Sequence, residues 1–206
     1  GTRIAVRFFA GYKLSTIDLN SESLVSEAYE KGVSMGSDLL QDENKIPEFI
    51  VWAQKDKNGA PLQRVQIIKG WIDVNSGRPK EKVFDVACSD GMQPDPITHR
   101  CPDNGAKVNI NDCSITKDVG SSELKTIWRD PEFVHQDKSF YYVRVLENPT
   151  CRWSTWDAVK AGFKPREDLH ETIQERAWSS PIWYNPKQSN VDVIPLGGTL
   201  ELRDLN

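Results

Sequence analysis

Residues 139–184 form the most aromatic stretch of the chain, opening with Phe140-Tyr-Tyr-Val-Arg-Val-Leu146 and closing with Gln174-Glu-Arg-Ala-Trp-Ser-Ser-Pro-Ile-Trp-Tyr184. Four of the seven tryptophans lie in this stretch, so it is either part of a core or the wall of a binding surface. The opening segment is rich in aromatic and β-branched residues, which favour strands, and Pro181 is tolerated at a sheet edge. The stretch therefore predicts a core strand, an excursion anchored by Cys151, and a final edge strand.

Earlier segments have the pattern of further strands. Residues 3–9 alternate between apolar and polar side chains, and residues 49–53, 64–72 and 82–88 are short apolar runs separated by turn formers. Asn58-Gly59 is a strong turn signal, and the alternation breaks at Ile67-Ile68, which predicts an irregularity near this pair. The chain is therefore predicted to be mainly β with short helices, as an antiparallel β-sandwich of immunoglobulin-like or jelly-roll-like type.

The helices are expected to be short. Residues 21–31 have helical apolar spacing between Ser21 and Gly32, and residues 121–128 predict a second helix. A third is predicted to start at Ser154 and end near Gly162, followed by a polar helix or an extended excursion over residues 165–177. We predict one domain over residues 1–186, with insertions at about 89–130 and 151–177. In the tail, residues 187–206, the candidate strand is Thr199-Leu-Glu-Leu-Arg203.

Cysteine spacing favours disulfides over free thiols or a metal site. The four cysteines are Cys88, Cys101, Cys113 and Cys151, which contain no C-x-x-C pair and allow three connectivities. The loop-rich insertion after residue 88 needs such ties to stay ordered. Disulfides also predict an exported protein, periplasmic or extracellular.

Composition excludes several classes of partner. The net charge is −4 with interspersed charges, so no basic stripe indicates nucleic acid. No apolar run approaches the roughly 20 residues of a membrane span. The chain starts directly on a strand-like segment without an initiator methionine, which is the pattern of a piece of a longer polypeptide.

No catalytic residue is predicted. Gly32-Val-Ser-Met-Gly36 matches G-x-S-x-G, but it lacks the strand before the serine that a nucleophile elbow needs. His99, His135 and His170 lie in polar, loop-like surroundings, and no metal-binding motif is present. We therefore expect no cofactor in this chain.

One cluster of residues suggests ligand binding. Arginine and tryptophan together suit sugars, carboxylates or phosphates, through stacking and paired hydrogen bonds. The candidate residues are Arg152, Trp153, Trp156, Glu175, Arg176 and Trp178. The alternative, which we favour from the sequence, is that the tryptophans pack over the sheet and the arginines pair with Glu147 or Glu175.

Several ordered motifs resemble the bacterial domain-of-unknown-function family 3604 over roughly residues 1–186. They are Gly1-Thr-Arg-Ile-Ala-Val-Arg-Phe-Phe-Ala-Gly-Tyr12, Gly32-Val-Ser-Met-Gly-Ser-Asp-Leu39, Arg64-Val-Gln-Ile-Ile-Lys-Gly-Trp71, Phe84-Asp-Val-Ala87, Phe140-Tyr-Tyr-Val-Arg-Val-Leu-Glu-Asn-Pro-Thr150, Arg152-Trp-Ser-Thr-Trp-Asp157 and Gln174-Glu-Arg-Ala-Trp-Ser-Ser-Pro-Ile-Trp-Tyr184. Ser34 departs from the family pattern, which has Gly-Val-Pro-Met-Gly. A position that resembles a family proline is a poor candidate nucleophile.

The resemblance implies that this chain is the carboxy-terminal part of a longer protein. Longer members resemble, in their upstream part, the polymerase-and-histidinol-phosphatase metallohydrolases, where a divalent metal would be bound. None of those metal ligands has a matching position here, and the resemblance also implies export in many members.

Three functions follow as expectations. The first is a non-catalytic accessory β-domain whose partner is the missing catalytic domain of a metal-dependent hydrolase. The second is a module that binds a saccharide or another small molecule through the Trp/Arg cluster. The third is a structural domain that mediates oligomerisation.

Overall fold

The computed structural model describes residues 1–42, 45–73 and 75–187 of the 206-residue chain. The candidate strand at residues 199–203 lies outside these ranges. The strands are β1 (Ala5–Gly11), β2 (Gly32–Ser34), β3 (Asp38–Leu40), β4 (Glu48–Gln54), β5 (Leu62–Ile72), β6 (Pro79–Cys88), β7 (Val108–Asn109), β8 (Ser114–Ile115), β9 (Glu123–Arg129), β10 (Ser139–Glu147), β11 (Thr150–Cys151), β12 (Thr172–Ile173), β13 (Arg176–Trp178) and β14 (Ile182–Asn185). The α-helices are α1 (Leu24–Lys31) and α2 (Trp153–Ala161).

Two sheets form a sandwich. The smaller sheet has the order β2-β1-β4-β9, and the larger has the order β3-β14-β10-β5-β6, with β13 also pairing with β10. Neighbouring strands are antiparallel except for the parallel pair β14 and β3. Apolar side chains from both sheets form one core, including Phe8 and Phe49 from the smaller sheet and Ile67 and Val143 from the larger. The predicted mainly β sandwich with short helices is confirmed.

Helix α1 covers the outer face of the smaller sheet. Its buried residues, Leu24 and Ala28, pack with Phe9 and Ile50, which point away from the main core. The helix begins at Leu24, three residues after the predicted cap Ser21, and ends before Gly32, which starts β2. Ser34, within the G-x-S-x-G match, lies on this short strand.

The helix predicted over residues 121–128 is wrong. These residues form most of β9, which pairs with β4 along its whole length, from Gln54 opposite Glu123 to Glu48 opposite Arg129. Thr126, Ile127 and Trp128 are β-branched or aromatic and suit a strand, and the ladder to β4 outweighs the weak helical spacing.

The irregularity predicted near Ile67-Ile68 is present, but it lies just before the isoleucine pair. The β5–β6 register shifts between Val65 and Gln66, whereas Ile67 and Ile68 pair regularly with Phe84 and Val83. Both isoleucines are buried, Ile67 in the core and Ile68 on the other side of β5 between its strand partners Tyr142 and Val83, so an apolar pair there does not require a bulge.

The two disulfides are Cys88–Cys101 and Cys113–Cys151. They attach the loop-rich insertion to the end of β6 and to β11. These are the cross-links that the insertion was predicted to need in order to stay ordered. Two disulfides fit an oxidising, exported environment. Within the described part of the chain, no helix is long and apolar enough to cross a membrane.

Candidate functional site

The six candidate residues lie on different structural elements that neighbour one another. Trp156 and Glu175 line a pocket beside α2, whereas Arg176 and Trp178 belong to strand β13 on the outer side of the larger sheet. Arg152 and Trp153 occupy the start of α2. The sequence cluster is therefore not a single site.

Helix α2 presents aromatic side chains to solvent. Arg152 is its N-cap residue, and Gly162 ends it in the left-handed conformation that glycine adopts at little cost. Trp153 is 72% exposed, and Phe163, just beyond the helix, is 75% exposed. Lys160 Nζ lies 5.3 Å from the centre of the Trp156 ring.

The interpretation that the candidate tryptophans pack over the sheet is wrong for Trp153 and Trp178, because Trp178 is also 58% exposed. The paired-arginine part of that interpretation is wrong as well. Among the described residues, neither Arg152 nor Arg176 forms an ion pair with Glu147 or Glu175, and the buried Nε of Arg152 has no hydrogen-bond partner.

The pocket beside α2, hereafter the α2 pocket, has a volume of about 580 Å³. Its lining combines one aromatic wall, three carboxylates and the first two residues of the described chain. The lining residues are Gly1, Thr2, Asp56, Asn58, Gly59, Ala60, Cys113, Ser114, Ile115, Glu147, Thr150, Trp156 and Glu175. The Cys113–Cys151 disulfide fixes this wall next to the end of β10.

Glu147 lines the α2 pocket and is a candidate functional residue, although the sequence indicated it only as a possible partner of an arginine. Its side chain is 2% exposed, and the Thr2 hydroxyl donates a hydrogen bond to it. Burial raises the pKa of Glu147, the nearby Glu175 charge raises it further, and the Thr2 hydrogen bond opposes the change. The only sequence signal for this residue was an acid at the last position of an otherwise apolar strand.

Replacing Glu147 with Gln is expected to change how stability depends on pH. Because the folded-state pKa of Glu147 lies above its ordinary value of 4.5, protonated Glu147 stabilises the fold. That stability is complete below pH 4.5 and is lost as pH rises through the raised folded-state pKa. The amide of the glutamine variant cannot ionise. At pH values above the folded-state pKa of Glu147, the variant should therefore be more stable than the wild type by on the order of 1 kcal/mol.

Urea unfolding of both proteins between about pH 4 and pH 8 measures this difference, because it follows stability upward from the ordinary pKa of a glutamate. Glu167→Gln, which alters an exposed acid far along the chain, is the matched control. Parallel curves for Glu147→Gln and wild type across the whole range would contradict the expectation.

A polar row crosses the outer side of the larger sheet. Trp178, Arg144, Gln66 and Asp85 are successive cross-strand partners on β13, β10, β5 and β6. Arg144 Nε donates to Gln66 Oε1 at 2.7 Å, and Gln66 Nε2 donates to Asp85 Oδ1 at 2.6 Å. The intervening residues, such as Val143, enter the core, so this row faces away from it.

Further arginines lie near the same row. Arg176 is two residues before Trp178 and pairs with Leu146, which in turn pairs with Arg64. Arg64 Nη1 and Arg100 Nη1 lie 3.3 Å and 3.4 Å from the two Asp85 carboxylate oxygens. Arg144, Arg64 and Arg100 were not among the predicted site residues, because only strand pairing places them beside Arg176.

No metal-binding group was found in the described ranges, where no three His, Cys, Asp or Glu side chains are arranged to hold an ion.

Comparison with protein families gives a match to the model described as "Protein of unknown function (DUF3604)", which covers residues 1–186. No curated protein and no solved structure matches the chain.

Proposed function

This chain belongs to the DUF3604 family, and we propose that it acts there as a non-catalytic accessory β-domain of a larger exported protein. The observation that carries the proposal is the aromatic surface of α2, where Trp153 and Phe163 are largely exposed. Large exposed aromatic side chains are typical of surfaces that another protein or domain covers. In this proposal, the α2 surface packs against the remainder of the larger protein.

The α2 pocket supports the same arrangement. Gly1 and Thr2 line it together with Trp156 and Glu175, so a segment joining Gly1 to a preceding domain would run beside the pocket. Trp156 and Glu175 would then stand at the rim of a substrate cleft in the upstream part. The family resemblance implies that this part is a metal-dependent hydrolase, which would hold the metal.

The proposal is tested in the longer polypeptide by removing both aromatic side chains, Trp153→Ala with Phe163→Ala. Burying an aromatic side chain contributes about 1.5–3 kcal/mol, so limited proteolysis should release the domain at least about tenfold faster. Tyr29→Ala, at an exposed aromatic residue of α1, is the matched control and should leave the rate unchanged.

A second measurement uses the 206-residue chain alone. It should unfold cooperatively and give no turnover of phosphate or carboxylate esters when divalent metal is added. Metal-dependent turnover by this chain, or unchanged proteolysis of the double variant, would overturn the accessory role.

A second candidate function is the binding of a saccharide or another small ligand. The exposure of Trp178 beside the arginines of β10 and β13 favours it, because aromatic rings and guanidinium groups recognise sugars and their charged substituents.

A further inference from the structure

The outer face of the larger sheet carries aromatic side chains at one end and arginines at the other. We define the outer face by Trp183, Phe140, Tyr142, Trp178 and Arg144, together with Arg64, Arg100 and Arg176. Phe140, Tyr142 and Arg144 alternate on β10 with core residues, so their side chains share one side of the sheet. At about 3.3 Å per residue, Phe140 and Arg144 are about 13 Å apart along the strand, more than the width of one sugar ring.

The aromatic end contains a cleft. The Phe140 and Trp183 ring centres are 5.1 Å apart, and Tyr142 stacks next to Phe140 with an interplanar angle of 14°. Phe140 lies directly over Gly70, where a Cβ atom would come within 2.3 Å of the ring. Gly70 therefore leaves room for the Phe140 ring, and the adjoining cleft of about 480 Å³ is lined mainly by apolar side chains. The Phe140 and Trp183 rings are tilted by 50° to each other, so they offer two aromatic surfaces on which the apolar faces of sugar rings can stack.

The arginine end has the opposite charge to the chain as a whole. Arg64 and Arg100 pair with one carboxylate, that of the buried Asp85, while Arg144 contacts Gln66 and Arg176 lies on the neighbouring strand β13. The chain has a net charge of −4, so this is a local reversal of sign. The Gln66 side chain holds Arg144 in place through the Nε hydrogen bond, which orients the guanidinium before a ligand arrives. Fixed guanidinium groups are suited to carboxylates and sulfates, which they bind through paired hydrogen bonds.

We propose that the outer face binds an anionic polysaccharide. Sugar rings stack on Phe140 and Trp183, and carboxylate or sulfate groups of the same polymer reach Arg144 and Arg176. This inference rests on the second candidate function and specifies its ligand class. The charge of the arginine end favours a polyanion, and the disulfides fit an exported setting, where acidic polysaccharides are the expected polyanions.

The test measures binding of the full 206-residue chain to three polymers by titration calorimetry. Polygalacturonate offers carboxylates, dextran sulfate offers sulfates, and dextran offers neither. We expect the chain to bind at least one of the charged polymers. Binding to dextran should be at least about tenfold weaker or absent, and the affinity for the charged polymer should fall as the salt concentration rises. A preference between the two charged polymers identifies which anionic group Arg144 and Arg176 take.

Variants assign the binding to the outer face. Arg176→Gln and Trp183→Ala should each weaken binding about fivefold or more, and thermal unfolding should show that both variants are fully folded at the temperature of the titration. Arg166→Gln removes an equal charge from an exposed arginine outside the outer face and is the matched control.

The outcomes separate the two levels of the proposal. Dextran and the charged polymers could bind equally well, with binding lost in Trp183→Ala but kept in Arg176→Gln. This result would contradict an anionic ligand but would still support saccharide binding. No binding of any polymer would overturn both. Tighter binding of an oligothymidylate than of either charged polymer would replace the polysaccharide with single-stranded nucleic acid.

Discussion

Replacing Asp130 with Ala is expected to destabilise this protein by about 3–5 kcal/mol, because it leaves the Lys69 ammonium charged and buried without its partner. Lys69 is 2% exposed, and its Nζ lies 2.5 Å from Asp130 Oδ2 inside the sandwich. The same carboxylate oxygen accepts a hydrogen bond of 2.8 Å from the Tyr141 hydroxyl. One substitution therefore removes the partner of both a buried cation and a buried hydroxyl.

Urea unfolding monitored by tryptophan fluorescence measures the loss. The control is Glu132→Ala, which breaks the neighbouring surface pair with Lys82 and should cost less than about 1 kcal/mol. The double variant Lys69→Met with Asp130→Ala removes the stranded charge and should recover much of the stability lost in Asp130→Ala. Equal losses of stability in Asp130→Ala and Glu132→Ala would show that the buried ion pair contributes no more to stability than the surface pair.

Removing the Cys113–Cys151 disulfide is expected to cost about 4 kcal/mol, and removing Cys88–Cys101 about 3 kcal/mol. These values follow from the chain entropy that each cross-link removes from the unfolded state, which grows with the length of the closed loop. The two sequence separations are 38 and 13 residues, so the longer loop should matter more. The paired variants Cys113→Ser/Cys151→Ser and Cys88→Ser/Cys101→Ser avoid leaving a lone thiol.

Guanidinium unfolding of the two paired variants gives the ranking. The Cys113–Cys151 variant should also lose order around the α2 pocket, since that disulfide forms part of the pocket wall. Hydrogen exchange at α2 should therefore be faster in this variant and unchanged in the Cys88–Cys101 variant. A larger loss from the shorter loop would mean that native contacts, rather than chain entropy, set the contribution of each disulfide.

The accessory role and the ligand-binding role remain proposals, and they use different surfaces. The α2 surface and pocket lie around Trp153, Trp156 and Glu175, whereas the anionic ligand is proposed for the outer face around Arg144 and Trp183. A variant on one surface should therefore leave the other function intact, as mutations at separated sites usually act independently.

The amino-acid sequence by itself determined the fold class, the central strand at residues 140–146 and the preference of the cysteines for disulfides. These features depend on local patterns: the β-branched and aromatic runs, the turn residues between them and the even number of cysteines. Its indication that residues 152–178 bind a ligand stays a prediction. Local patterns failed at residues 121–128, where pairing with β4 converts a weakly helical segment into a strand.

Only the tertiary structure decided how the candidate residues are grouped. Glu175 lies just before β13 and lines the α2 pocket, whereas Arg176 begins β13 and pairs with Leu146 on the outer face. Glu147 accepts a hydrogen bond from Thr2, far away in sequence, and the arginine end depends on the register of β13, β10, β5 and β6. Such contacts join residues 19 to 145 positions apart, and no local sequence pattern encodes them.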